Sequence, residues 1–261
     1  MAPETGPMMG ESAQGSAPSG WSALLPRRVT LLAGHFGSGK TEIILNAALD
    51  AASGDMPVSL VDLDVVKPYF RSRSARDILA AGNVELVAPM GEYFSSDLPI
   101  ILPEIRSRLR DPSRRIFIDA GGDDTGTRAV GSLSDAVPAH ETDFLLVLNF
   151  RRPFTPDVPS AVAMAREIET TARLKLTGIL ANTHLMDETT PAVILDGLGK
   201  ARETAAALGL AIRAVAASEA VAPGLDAASL GVPLAPVRRI VRPPFESQRT
   251  QRSVGPLFVV G

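Results

Sequence analysis

The sequence predicts an α/β fold: a three-layer, doubly wound, mostly parallel sheet with a phosphate loop at its centre. Three observations predict it. From Arg28 onward, short apolar runs alternate with amphipathic stretches of helical length. A glycine-rich segment, Gly34-His35-Phe36-Gly37-Ser38-Gly39-Lys40-Thr41, stands between the first such run and the first helix. Polar clusters close the apolar runs at Asp62-Leu63-Asp64, Asp119-Ala120-Gly121-Gly122 and Ala181-Asn182-Thr183, and open parallel sheets bind ligands at such strand ends.

The elements follow in order. Residues 28–33 read as a buried strand that stops at the glycine-rich turn. Residues 41–52 are helical, with Ile44, Leu45, Ala48 and Leu49 on one face and Gly54 and Pro57 as punctuation. A second strand covers 58–61, a helix 71–81 and a short strand 84–87. Ile101, Leu102, Ile105 and Leu109 share a helical face that ends at Asp111-Pro112. Strands follow at 115–118 and 144–148. Then come a helix carrying Val158, Val162, Ala165, Ile168 and Ala172, a strand at 176–180, a helix at 191–208 and a strand at 211–215. Residues 1–26, rich in Gly, Pro, Ser and Ala, are expected to be a disordered arm. Residues 27–232 form the domain, and 233–261 an irregular basic tail with five arginines.

Bulk composition excludes several classes. A chain of 261 residues with 45% apolar content suits one large domain. A net charge of -3 supplies no global field toward nucleic acid or membrane. Without cysteine there is no disulfide, no thiolate-bound zinc and no self-held iron–sulfur cluster. Three scattered histidines make no metal cluster. No segment offers the roughly 20 apolar residues that span a bilayer, and the N-terminus lacks a secretory pattern. A cytoplasmic location is the expectation.

Gly34 to Thr41 matches G-x-x-x-x-G-K-T between a strand and a helix, the context in which the pattern has a mechanism. Glycines at Gly34, Gly37 and Gly39 free the backbone to turn its N–H groups toward phosphate oxygens. The helix that follows adds its positive N-terminal end. Ser38, Lys40, Thr41 and Glu42 complete the expected nucleotide contacts, with Lys40 between the β- and γ-phosphates and the Thr41 hydroxyl on Mg²⁺. The expected ligand is ATP with Mg²⁺.

Such chemistry needs a second acidic group at a neighbouring strand end. Asp119 is the candidate for the magnesium site, with Gly122 as a backbone donor to the γ-phosphate. Asp64 would orient or deprotonate the attacking group, and Asp62 would support the metal. Asp also caps helices and forms turns, so each position has an ordinary structural alternative. Asp123, Asp124, Gly126 and Arg128 read as a loop that responds to the γ-phosphate or as a solvated turn.

Together these residues resemble the MinD/ParA/CobQ-CobB (SIMIBI) class of P-loop proteins, over roughly Val29 to Ser218. The class has an acidic D-x-D pair after its second strand, matched by Asp62-Leu63-Asp64. Its switch region begins with an Asp matched by Asp119-Ala120-Gly121-Gly122. Its Gly-Ile-Leu-x-Asn stretch, which places an Asn on adenine, is matched by Gly178-Ile179-Leu180-Ala181-Asn182. Within the class, a subset of ATP-binding proteins has a similar G-S-G-K-T-E and D-L-D-x-x-x-P-Y-F-R-S-R pattern. One departure stands out. Many members carry a second lysine after the first loop glycine, which reaches the partner's phosphates across a dimer, and here that position holds His35. A homodimer is thus a class expectation that His35 weakens. Asn182-Thr183-His184-Leu185 lacks the Asp of a guanine signature, which favours ATP over GTP.

Three readings remain open on the sequence. One is a slow regulatory ATPase that switches a protein partner in maturation or positioning. Another is an ATP-dependent small-molecule kinase or ligase of the dethiobiotin synthetase or cobyrinate amidase type, with Arg71, Arg73, Tyr93 and Arg128 lining a pocket. The third is a nucleotide-sensing module that does not hydrolyse. A nucleic-acid role would rest only on the tail arginines and on Arg106, Arg108, Arg110, Arg114 and Arg115. Such runs are most often a solvated face.

Overall fold

The computed structural model describes residues 20–63, 73–88, 103–121 and 124–240. Their framework is one eight-stranded sheet with every neighbouring pair parallel. The strands are β1 (Val29–Ala33), β2 (Val58–Asp62), β3 (Val84–Val87), β4 (Arg115–Asp119), β5 (Thr142–Leu148), β6 (Gly178–Ala181), β7 (Ile212–Ser218) and β8 (Leu234–Val237). Their spatial order is β3-β2-β4-β1-β5-β6-β7-β8. The helices are α1 (Trp21–Leu24), α2 (Lys40–Ala51), α3 (Arg73–Ala81), α4 over 103–109, α5 (Asp124–Leu133), α6 (Val158–Ala172) and α7 (Pro191–Leu208).

Handedness decides which face each helix covers. The chain moves outward from β1 to β2 to β3, then turns back through β4 to β5, β6 and β7. Right-handed crossovers therefore put α2 and α3 on one face and α4 to α7 on the other. The two buried clusters divide in that way. Ile43, Ile44, Leu45 and Leu79 pack on one side of the sheet. Ile105, Val130, Ile168 and Leu198 pack on the other. Central strands read as continuous apolar runs because both faces are covered; all seven residues of β5 are buried. β1 lies where the strand order reverses, so its carboxyl end opens into the crevice between β4 and β5.

The structure departs from the sequence expectations in three places. Trp21–Leu24 is a helix rather than part of a disordered arm. Among the described residues no crossover helix lies on the α2 side of β6 to β8, and Trp21 and Leu25 join the cluster there with Ala214, Ala216 and Ala235. The Trp21 indole also donates to the Pro236 carbonyl at 3.0 Å. The expected irregular tail begins with a strand. β8 pairs Leu234 with Val215 and Val237 with Ser218, and Pro236 is tolerated because this strand is an edge. Third, Gly126 and Arg128 lie within α5 and not in a loop. A Cβ on Gly126 would meet the Ala120 carbonyl at 1.8 Å, so the glycine that weakens the helical signal is what lets the helix lie against the strand end.

The basic run is largely engaged. Arg106 pairs with Asp135 at 2.7 Å. Arg108 and Arg114 converge on Glu85 at 2.6 and 2.7 Å, and the Arg108 hydrogen bond is the largest influence holding the Glu85 carboxyl below its ordinary value. Arg115 donates to the Leu25 carbonyl and lies over the Phe117 ring. No helix among the described residues is long and apolar enough to cross a membrane.

The chain has one tryptophan, so its emission reports on α1 alone. Native emission is expected to be blue-shifted from that of the unfolded chain. Truncation by Trp21→Ala should lower the unfolding free energy by about 3 kcal/mol in a denaturant titration. An unshifted emission, or a loss within error of zero, would show that α1 is not docked.

Candidate functional site

The phosphate loop turns on three glycines with positive φ: Gly34 at 143°, Gly37 at 78° and Gly39 at 89°. Side chains are excluded there for steric reasons as well. A Cβ on Gly34 would meet the Val147 carbonyl at 2.5 Å, and one on Gly39 would meet the Asn182 amide at 2.2 Å. Helix α2 starts at Lys40 with Gly39 as its N-cap, and no side chain caps its first amides. An N-terminus of this kind favours an anion.

Lys40 is 5% exposed and curls over its own loop. Its ammonium donates to the Gly34 carbonyl at 2.7 Å, the His35 carbonyl at 3.1 Å and the Ser38 hydroxyl at 3.5 Å. The charge is thereby held beside the loop, at the place where the sequence motif puts the phosphates.

Asp119 ends β4, and parallel register sets it beside Leu32 of β1 and Asp62 of β2. Its neighbour two residues back, Phe117, belongs to the α2-side cluster, so alternation turns Asp119 toward α2 as well. Leu60 assigns Asp62 to the same face. The Thr41 hydroxyl donates to the Asp119 carboxylate at 2.8 Å, and the second carboxylate oxygen accepts the Gly121 amide at 3.2 Å. Asp62 and Asp119 are both buried. Two buried carboxylates and a hydroxyl suit a hard divalent cation that takes its other ligands from phosphate and water. Among the described residues no group of three or more Asp, Glu or His side chains could hold a metal unaided.

The remaining expected residues are placed as follows. Asn182, at the end of β6, gives its amide to the Ser38 carbonyl at 2.7 Å. Glu42 accepts from the Ile240 amide, so this first-turn carboxylate holds the segment after β8. Asn46 fastens the same segment, exchanging hydrogen bonds with the backbone of Arg238. Asp64 and Gly122 lie outside the described residues, as do Asp123, Arg71 and Tyr93.

Three residues that the sequence reading did not select also meet the loop. Asn149, fully buried at the end of β5, donates to the Gly37 carbonyl at 3.4 Å and the His184 carbonyl at 3.3 Å, and accepts from the His184 amide at 3.2 Å. Arg152 donates through Nε to the same Gly37 carbonyl at 2.9 Å. His184 lies with Nε2 3.3 Å from where a Gly39 Cβ would stand. The available signal was topological. A polar residue closing the apolar run beside β1 must lie at the crevice, but strand order is invisible in the sequence. Near them, the His35 ring stacks on Phe154 at 4.8 Å.

No family model matches the chain, and no curated protein matches it. Several solved structures resemble it at low identity. The signal recognition particle 54 kDa protein of Aeropyrum pernix K1, in complex with GDP, is 16% identical with a TM-score of 0.48, over 75% of this chain and 46% of that one. Chloroplast FtsY of Physcomitrella patens is 17% identical with a TM-score of 0.49, over 72% of this chain and 58% of that one. A nucleotide-binding protein of Archaeoglobus fulgidus, in complex with ADP, is 17% identical with a TM-score of 0.41, over 73% and 83%. The chain thus spans about half the length of the first two.

His184 provides a test of this packing. Burial, aided by the nearby Arg152 charge, pushes its imidazole down to about 4 from an ordinary 6.5. The unfolded chain therefore binds a proton between these values that the folded chain refuses, and stability is lost as pH falls through that window. Replacing the ring in His184→Gln should flatten the fall of melting temperature between pH 6.5 and 4.5 relative to wild type. Parallel curves for the two proteins would place the imidazole in water.

Proposed function

We propose that this chain binds a nucleoside triphosphate, ATP in preference to GTP, as its Mg²⁺ complex, and works as a slow regulatory ATPase switch on a protein partner. The observation that carries the reading is the Thr41–Asp119 hydrogen bond of 2.8 Å at the mouth of a loop whose lysine is already folded over it. That hydroxyl and carboxylate are the pair that P-loop chemistry uses for magnesium, brought together from α2 and β4. Mg²⁺, when bound, neutralises charge on the β- and γ-phosphates. Lys40 holds the same phosphates, Asp62 supports the metal site, and Asp64 orients the attacking water. Gly122 donates its amide to the γ-phosphate.

The lack of an acidic residue at Leu185, in the segment that would meet the base, supports adenine over guanine. The partner reading is supported by apolar side chains left exposed round the loop. Phe36 is 45% and Phe154 60% exposed, and Met186, two residues beyond His184, is 51% exposed. Asp62 ends β2 and Asp119 ends β4, so loss of the γ-phosphate would be felt first by the segments that follow those strands. As for nucleic acid, engagement of Arg106, Arg108, Arg114 and Arg115 within the fold counts against that alternative.

Titration calorimetry of ATP and GTP against wild type, Lys40→Ala and Asp119→Asn tests the reading. Lys40→Ala should weaken Mg-ATP about 100-fold, corresponding to about 3 kcal/mol for lost charge-assisted contacts. Asp119→Asn should remove the Mg²⁺ dependence of binding, and Asp64→Ala should abolish phosphate release while ATP still binds. Folded wild-type protein that takes up neither nucleotide would defeat the proposal, and tighter binding of GTP would overturn the choice of base.

A further inference from the structure

We infer that Arg152 is a second cation of the nucleotide site, supplied by the loop between β5 and α6 and directed at the ligand's polyphosphate. The inference rests on the nucleotide reading above. Among the described residues Arg152 gives only its Nε to the protein, to the Gly37 carbonyl at 2.9 Å. Among the described residues its two terminal nitrogens have no hydrogen-bond or ion-pair partner. A guanidinium carries five N–H donors, so four remain for a ligand. Two other arginines of the fold are spent otherwise. Arg151 next to it pairs with Asp196 at 3.2 Å, and Arg213 with Asp143 at 2.9 Å.

The local structure keeps this cation at the loop. Gly37 has φ 78°, and a Cβ there would stand 3.0 Å from Arg152 Nε, so glycine at this position admits the guanidinium as well as the turn. The β5–α6 loop that presents Arg152 is pinned at two further points. The Thr155 hydroxyl donates to the Asn149 carbonyl at 3.0 Å, and Phe154 stacks on His35. A half-buried guanidinium held by one bond, with a planar fork of free donors, matches a phosphate oxygen pair better than any neutral group does. Its charge also bears on His184, which stays neutral and so does not compete for the same anion.

Calorimetry with ATP, AMP and inorganic tripolyphosphate, each with Mg²⁺, separates the outcomes. Arg152→Ala should weaken ATP and tripolyphosphate about tenfold or more and AMP less than twofold, a ligand-dependent split that the loss of the Gly37 anchor alone would not produce. Arg152→Lys should recover part of the loss, and more of it at low salt. If Arg152→Ala leaves ATP within twofold of wild type, or lowers ATP and AMP equally while sparing tripolyphosphate, the guanidinium serves the base or the fold and the inference fails. Wild-type protein that binds none of the three ligands would instead bring down the nucleotide reading itself.

Discussion

The parallel register of β4 between β1 and β2 sets Asp119 opposite both Leu32 and Asp62, and the rest of the site depends on it. Neighbouring strands lie about 4.8 Å apart, and side chains in register point to the same face. A slip of one residue would turn Asp119 into the opposite apolar core and leave Thr41 without its partner. Register is fixed because Ile116 and Ile118 must reach one core while Phe117 reaches the other. Burial of these three side chains thus fixes the geometry of the polar contact made by the next residue, Asp119.

Around that contact the loop is held by polar groups that would be costly if left alone. Gly37 and Ser38 turn carbonyls toward side chains from β5, β6 and the loop after β5, and Asn149, Asn182 and Arg152 satisfy them. Lys40 satisfies the carbonyls of Gly34 and His35 from within. A loop whose backbone is fixed at so many points has lost most of its conformational entropy on folding, so little ordering remains to oppose binding. The same bonds connect the loop to the strand ends on the β5–β6 side, while Asp119 connects α2 to β4. The crevice is therefore bounded by two groups of strands joined through one loop.

Much of this was legible in order along the chain. The alternation of apolar runs and helical stretches gave the α/β sandwich, and strands β1 to β7 lie within a few residues of their expected places. The spacing from Gly34 to Thr41 gave the loop, and the acidic residue after Ile116-Phe117-Ile118 gave its partner. α1 and β8 were missed because each is short and gains its stability from contacts across long sequence separations, such as Trp21 with Pro236. The helix α5 was hidden by Gly126, whose cost to helix propensity is local while its benefit against the Ala120 carbonyl is tertiary.

What the sequence by itself determined is therefore the chemistry that short spacing encodes: glycines that permit positive φ, a lysine and a threonine at the start of a helix, and carboxylates closing buried strands. What the tertiary structure alone decided is which strand ends meet. Strand order placed β5 beside β1, and only then did Asn149 and Arg152 become part of the loop's surroundings. The physical reason is range. Backbone conformation and capping depend on a few adjacent residues, whereas strand neighbours are chosen by handed crossovers and by burial on both faces of the sheet, which no local window contains.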